Sequence, residues 1–255
     1  MTIDTNPDHL HDNKLANRLD TSLRLADVVT AYPSLARELE VRGLDYCCGG
    51  ATTLERACHD LGLDVDLVIG ELEAAITDTQ PAAWATMGAV QLVDHIVETH
   101  HRFLWDELPR VAALMGKVRT VHGERHPELV AIARCFDTIR GDLEPHMRRE
   151  EQVLFPAIRE MATASTMPEF AFGRIENPIS VMLREHDVVG ELLAELRRLT
   201  DGFTPPADGC ASYGALFAAF DEIEADTHLH VHKENNLLFP TVVAIEHRLS
   251  NGLTS

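Results

Sequence analysis

Two eleven-residue segments of the chain carry the same chemistry at the same spacing. His146-Met147-Arg148-Arg149-Glu150-Glu151-Gln152-Val153-Leu154-Phe155-Pro156 is matched by His230-Val231-His232-Lys233-Glu234-Asn235-Asn236-Leu237-Leu238-Phe239-Pro240, with His, Glu, Leu, Phe and Pro in equivalent places. A further histidine precedes each: His101 lies 45 residues before His146, and His186 lies 44 before His230. On a helix, residues i and i+4 stand one turn apart on the same side. In His-x-x-x-Glu the imidazole can therefore ligate one metal ion while the carboxylate reaches toward a second. Mixed imidazole and carboxylate ligands suit iron, manganese or zinc.

The elements that must carry these groups are helices. From Ala89 onward, apolar residues recur in steps of three and four over four long stretches, about 89 to 116, 127 to 161, 178 to 200 and 210 to 248. The candidate groups lie on the apolar stripes. In the second stretch Leu129, Ile132, Phe136, Ile139 and Leu143 lead through His146 and Glu150 to Val153 and Ala157. In the fourth, Leu216, Phe220, Ile223 and Thr227 lead through His230 and Glu234 to Leu237, and in the third Ile179 and Met182 lead to His186, Val189 and Leu193. The first offers two stripes, Val90-Val93-Val97-His101-Leu104-Leu108 and one through Val93, Ile96, His100 and Phe103, so periodicity leaves His100 and His101 open. An antiparallel four-helix bundle follows, with imidazoles and carboxylates facing its core. Buried carboxylates without partners are costly. One such residue reads as a core histidine hydrogen-bonded to glutamate; the repeated set reads as a site for two cations. His95 falls off both stripes, and His228 and His232 are expected on solvent-facing sides or along an entry path. Glu151, Glu185 and Asp187 flank the candidate ligands as tuning groups or solvated charges. Asn177 before Pro178 is the expected cap of the third helix, and Pro145 is expected to kink the second beside His146.

Ahead of the bundle, residues 22–78 read as a small helical domain: one helix from Pro33 to Gly43, one capped at Thr52 and stopped at Gly62, one from Asp64 to about Asp78. Between the first two sits Asp45-Tyr46-Cys47-Cys48-Gly49-Gly50. A following helix N-terminus would lower the thiol pKa values, so Cys47 and Cys48 are candidates for redox or metal-transfer chemistry. Cys58, Cys135 and Cys210 read as inert, and Trp84 and Trp105 as packing. Residues 1–21 and 249–255 read as tails and 79–88 as a linker. The chain of 255 residues is acidic, with net charge −19, which argues against nucleic acid and anionic membrane surfaces as partners. No apolar run is long enough to span a bilayer. Five cysteines without a disulfide framework and no signal-peptide core point to the cytoplasm.

The two His-x-x-x-Glu segments with their Leu-Phe-Pro endings, Arg184-Glu185-His186-Asp187, and the Tyr-Cys-Cys-Gly-Gly signature together resemble the RIC (repair of iron centres) family. Its members join an N-terminal Cys-Cys-Gly-Gly domain to a hemerythrin-like HHE bundle, and the resemblance spans about residues 22 to 248. It selects His101 over His100 and implies two non-haem irons, oxo- or hydroxo-bridged, held by His101, His146, His186 and His230 with Glu150 and Glu234 bridging; manganese or zinc fits the family less well. It further implies repair of iron–sulfur clusters under oxidative or nitrosative stress, through iron donation, nitric oxide reduction or both. The implied partners are iron–sulfur proteins as acceptors, nitric oxide or dioxygen as small ligands, and a second copy of the chain in a homodimer. The alternatives are an oxygen or nitric oxide sensor of the same build and a structural zinc bundle.

Overall fold

A computed structural model describes residues 19–78 and 82–251. The chain divides into two compact units between Ala85 and Thr86. Among the described residues there is no β-strand, only a single bridge between Arg24 and Thr53.

The first unit is built from short helices: α1 (Leu25–Ala31), α2 (Ala36–Val41, entered through a 3-10 turn at Pro33–Leu35), α3 (Leu54–Leu61) and α4 (Val65–Ala75). Gly43 and Gly62 close α2 and α3 at φ 71° and 69°, the left-handed region where a Cβ is penalised. Asp64 caps α4, its Oδ1 accepting from the N–H groups of Asp66 and Leu67 at 3.0 and 3.2 Å. The expected cap at Thr52 is displaced by one residue. The Thr52 carbonyl takes the Leu25 N–H at 2.9 Å, and it is Thr53 whose hydroxyl accepts from Arg56. Helix α4 stops short of Asp78, whose carboxylate accepts the Ser34 N–H. The expected N-terminal tail lies outside the described residues as far as residue 18. It does not extend to residue 21, because Leu19 is buried and donates its N–H to Glu73.

The second unit is the four-helix bundle. Helix α5 (89–122) joins Ala89–Ile96 and Arg102–His122 through Val97–His101, and α6 (129–163) joins Leu129–Arg149 and Phe155–Thr163 through Glu150–Leu154. Helix α7 is Glu176–Leu199, and α8 (211–250) joins Ala211–Lys233 and Phe239–Ser250 through Glu234–Leu238. The helices alternate in direction, with α6 packed closely on α7 and α5 on α8. Leu104, Leu108, Ile132, Phe136, Leu193 and Phe220 belong to the apolar core between His101 and the α5–α6 turn, and the Phe136 and Phe220 rings lie 5.1 Å apart.

The three joining segments are π-helical turns, each holding one residue more per hydrogen-bonded ring than the α-helix around it. They explain where the expected stripes slip. Beyond Glu150 the buried face resumes at Leu154, and Val153, expected inside, is 47% exposed. Beyond Glu234 it resumes at Leu238 in place of Leu237. In α5 the wide turn carries both His100 and His101 inward. Pro156 and Pro240 follow at the first turn of the resumed α-helix, where a missing N–H is tolerated. Helix α6 continues through Pro145, and His146 stays buried. Asn177 does not cap α7. It lies inside the first turn with Nδ2 donating to the Phe172 carbonyl, while the buried Glu246 carboxylate takes the Ile175 N–H at 2.7 Å.

Candidate metal centre

Six side chains converge between the four helices. His101, His146, Glu150, His186, His230 and Glu234 are each at most 2% exposed, the two glutamates not at all. Their ligand atoms form two groups, His101-His230-Glu150-Glu234 and His146-His186-Glu150-Glu234, with all atoms of a group within 4.8 Å of one another. Both carboxylates belong to both groups. Glu150 Oε2 lies 3.3 Å from Nε2 of His101 and 3.3 Å from Nε2 of His146. Glu234 spans instead, with Oε2 3.2 Å from His186 Nε2 and Oε1 3.2 Å from His230 Nε2. Although these distances are short, neither oxygen of either carboxylate has a hydrogen-bonding partner among the described residues. The groups face a common interior.

Around them stands a layer that fixes the rings. His101 Nδ1 faces Glu151 Oε1 at 2.9 Å, His146 Nδ1 faces Glu185 Oε2 at 2.8 Å, and His186 Nδ1 faces Asn235 Oδ1 at 2.7 Å. Each oxygen acceptor favours a proton on Nδ1 and so turns the Nε2 lone pair inward. Trp105, expected only to pack, donates Nε1–H to Glu151, and Arg149 donates to Glu185. Phe155 stacks on His101 and Phe239 on His186, with centroids 5.5 and 6.0 Å apart, so the phenylalanine of each Leu-Phe-Pro repeat covers a histidine of the neighbouring helix. Burial pulls the His146 imidazole down, yet the Glu150 charge prevails and raises it to about 10; His101 is raised likewise. Glu150 and Glu234 are held below the usual carboxylate range against their burial, by the histidines that face them. Two fully buried carboxylates amid inward-facing Nε2 atoms make a donor set that divalent cations fit.

Residues 92–242 match the Hemerythrin HHE cation binding domain, and residues 21–76 match a Domain of Unknown function (DUF542). The iron-sulfur cluster repair protein YtfE of Enterobacter sp. (strain 638) is 34% identical over 87% of this chain and 97% of its own length. A probable iron-sulfur cluster repair protein of Haemophilus influenzae is 32% identical over 86% of this chain and 96% of its own length. YtfE of Escherichia coli O81 is 31% identical over 87% and 97%. The chain belongs to the RIC family. Its bundle is accordingly a cation-binding domain of the hemerythrin type.

In this RIC protein the remaining histidines separate by position. His100 is buried beside the six-residue set without joining it. Its ring stacks on His230 at 5.5 Å, its Nδ1 faces Asp226 Oδ1 at 2.8 Å, and its Nε2 lies 2.6 Å from the buried Lys233 ammonium. Burial lowers Lys233 to about 8. His95 Nε2 is 3.0 Å from the same ammonium. His232, expected toward solvent, is fully buried, with Nδ1 3.3 Å from Asn236 Nδ2. Asp187 is exposed. Asn235 gave no sign in the sequence beyond its place one residue after Glu234.

The RIC cysteine signature forms a tight turn around Asp45. Asp45 Oδ1 accepts from the N–H groups of Cys47 and Cys48 at 3.0 and 2.9 Å, and Oδ2 from Gly49 at 2.8 Å. A Cβ at Gly49 would stand 3.0 Å from the Asp45 carboxylate, so the turn needs glycine there. Cys47 Sγ lies 3.2 Å from Asp45 Oδ1 and 3.9 Å from Cys48 Sγ. The expected activation by a helix N-terminus does not hold for Cys47. The next helix starts only at Leu54 behind its own Thr53 cap, and the Cys48 contact, burial and the Asp45 charge push the Cys47 thiol well up. Asp45, Cys47 and Cys48 still form a three-donor group within 4.8 Å. Cys58 and Cys135 are buried with raised pKa values, as inert thiols should be. Cys210 departs from that expectation. It is exposed, its Sγ lies 3.1 Å from His122 Nε2, and that contact lowers its thiol to about 7.

Proposed function

We propose that the bundle holds two iron ions and that the protein repairs damaged iron–sulfur clusters in the cytoplasm, giving up iron to iron–sulfur proteins as acceptors. The observation that carries this reading is the pair of fully buried carboxylates, each within reach of imidazoles from both groups and none of their oxygens hydrogen-bonded among the described residues. The similarity to proteins named for cluster repair supports the activity. When bound, the iron pair supplies redox-active cations with room for small ligands such as nitric oxide or dioxygen, and the metal itself as cargo.

The residues have distinct parts in this. His101 and His230 serve one ion and His146 and His186 the other, with Glu150 and Glu234 shared. Glu151, Glu185 and Asn235 hold the proton on Nδ1 of their histidines, so each Nε2 stays available. Phe155 and Phe239 exclude water from two of the rings and hold them in plane. Asp45, Cys47 and Cys48 are proposed as an open stop for an ion in transit, with the Cys47 proton released as the ion binds. Cysteines that form no disulfide among the described residues fit a reducing compartment.

Metal analysis of freshly purified protein, together with its absorption spectrum, tests this reading. Two irons per chain with near-ultraviolet charge-transfer bands, and recovery of cluster in a damaged acceptor on mixing, are expected. Zinc alone, or no metal, overturns it.

A further inference from the structure

The two halves of the centre are built from one repeat but are not equally supported. His186 is preceded by Glu185, and that carboxylate holds His146 Nδ1 in the α6–α7 half. The residue in the matching place before His101 is His100, and it meets His230 in the α5–α8 half. A histidine there stacks on the ligand ring and offers no acceptor to its Nδ1. His230 Nδ1 is buried and has no hydrogen-bonding partner among the described residues. The other corresponding pair is alike in role: Glu151, after Glu150, holds His101, and Asn235, after Glu234, holds His186. Both histidines of one half are therefore anchored by an outer acceptor, and only one of the other half. Moreover, the ring that covers His230 is itself held at both nitrogens, by Lys233 Nζ 2.6 Å from its Nε2 and by Asp226 Oδ1 2.8 Å from its Nδ1, so it is fixed in the stacked position.

Such outer acceptors fix ring orientation and raise ligand basicity, and losing one weakens metal affinity about 10- to 100-fold. We propose that the two metal positions are unequal, and that the ion between His101 and His230 is the one released first, while the ion between His146 and His186 is retained. This rests on the dinuclear reading above. It makes His100 and Glu185 the positioning residues that set the order of release, and it divides the pair into one transferable and one resident ion.

The test uses the full chain loaded anaerobically with two equivalents of ferrous iron and mixed with a ferrous-specific chelator. Release is expected in two phases of equal amplitude, about 10- to 100-fold apart in rate. Glu185→Leu, which keeps about the same bulk and removes the acceptor, should quicken the slow phase toward the fast one. His100→Glu restores the acceptor that the repeat lacks, with Lys233 beside it as counter-ion, and should slow the fast phase. In crystals grown with a single equivalent, anomalous scattering should mark the position between His146 and His186. Two bound equivalents that leave in a single phase, or anomalous signal divided evenly between the positions, overturn the asymmetry and leave the dinuclear reading standing. The asymmetry falls equally if neither variant shifts its phase. A protein that never takes up two equivalents removes both.

Discussion

Replacing Glu150 with leucine separates a cation site from a hydrogen-bonded polar core. Glu150 is fully buried and belongs to both ligand groups, so Glu150→Leu reduces each from four donors to three. A ligand that binds only the folded chain stabilises it by about 2.7 kcal/mol when free at a hundred times its dissociation constant. For a domain the size of the bundle, each kcal/mol moves Tm by about 2–4 °C. Added ferrous or manganous ion should then raise the wild-type bundle transition by about 5–11 °C. In Glu150→Leu the rise should vanish under the same conditions. The metal-free variant should also lie lower than wild type, by about 3–5 kcal/mol, because His101 and His146 lose the buried anion that faces them. Differential scanning calorimetry with and without metal reads both numbers. A wild-type transition indifferent to metal, or a variant that keeps the whole rise, refutes the reasoning: Glu150 would then be a structural partner of two core histidines.

Three further outcomes are expected. Metal uptake should release protons and strengthen with rising pH. The metal-free His146 is raised to about 10 despite its burial because Glu150 faces it, so it carries a proton at neutral pH that the ion must displace. Each such proton contributes about tenfold in apparent affinity per pH unit below that value, and isothermal titration in buffers of different ionisation enthalpy counts them. Cys210 should alkylate with a midpoint near pH 7, and His122→Asn should move that midpoint up toward the ordinary thiol range; mass spectrometry after timed iodoacetamide exposure measures it. Substituting both Cys47 and Cys48 by serine should leave bundle metal content unchanged while slowing iron transfer to a cluster-containing acceptor, and loss of bundle metal would mean that the cysteine turn and the bundle centre are one linked site.

What periodicity can carry was legible in the residues. The four long helices, their repeat and the inward placement of His146, Glu150, His186, His230 and Glu234 all follow from steps of three and four. The wide turns were not legible, because each appears only as a one-residue slip. Unbroken steps of three and four put Val153 and Leu237 inside for that reason, and the true inward residues are Leu154 and Leu238. The Leu-Phe pair after each glutamate is the sign of the slip: two adjacent apolar residues both find the interior when the turn widens. The choice between His100 and His101 dissolves for the same cause, since the turn buries both. Other misses depended on tertiary placement. Cys210 is activated by a histidine 88 residues away, a separation that leaves no pattern along the chain. Cys47 is kept protonated by its contact with Cys48, by burial and by the Asp45 charge, and the burial is set by the fold and not by the motif.

The repeat of the two hairpins has a consequence for how such a centre could diverge. Were each hairpin a separate chain pairing with an identical copy, two-fold symmetry would force every substitution to appear in both halves at once. Joined head to tail in one gene, the copies are released from that constraint. Glu185 on one and His100 on the other is a difference open only to the fused form, and with it comes a division of labour that no homodimer of half-length chains could evolve.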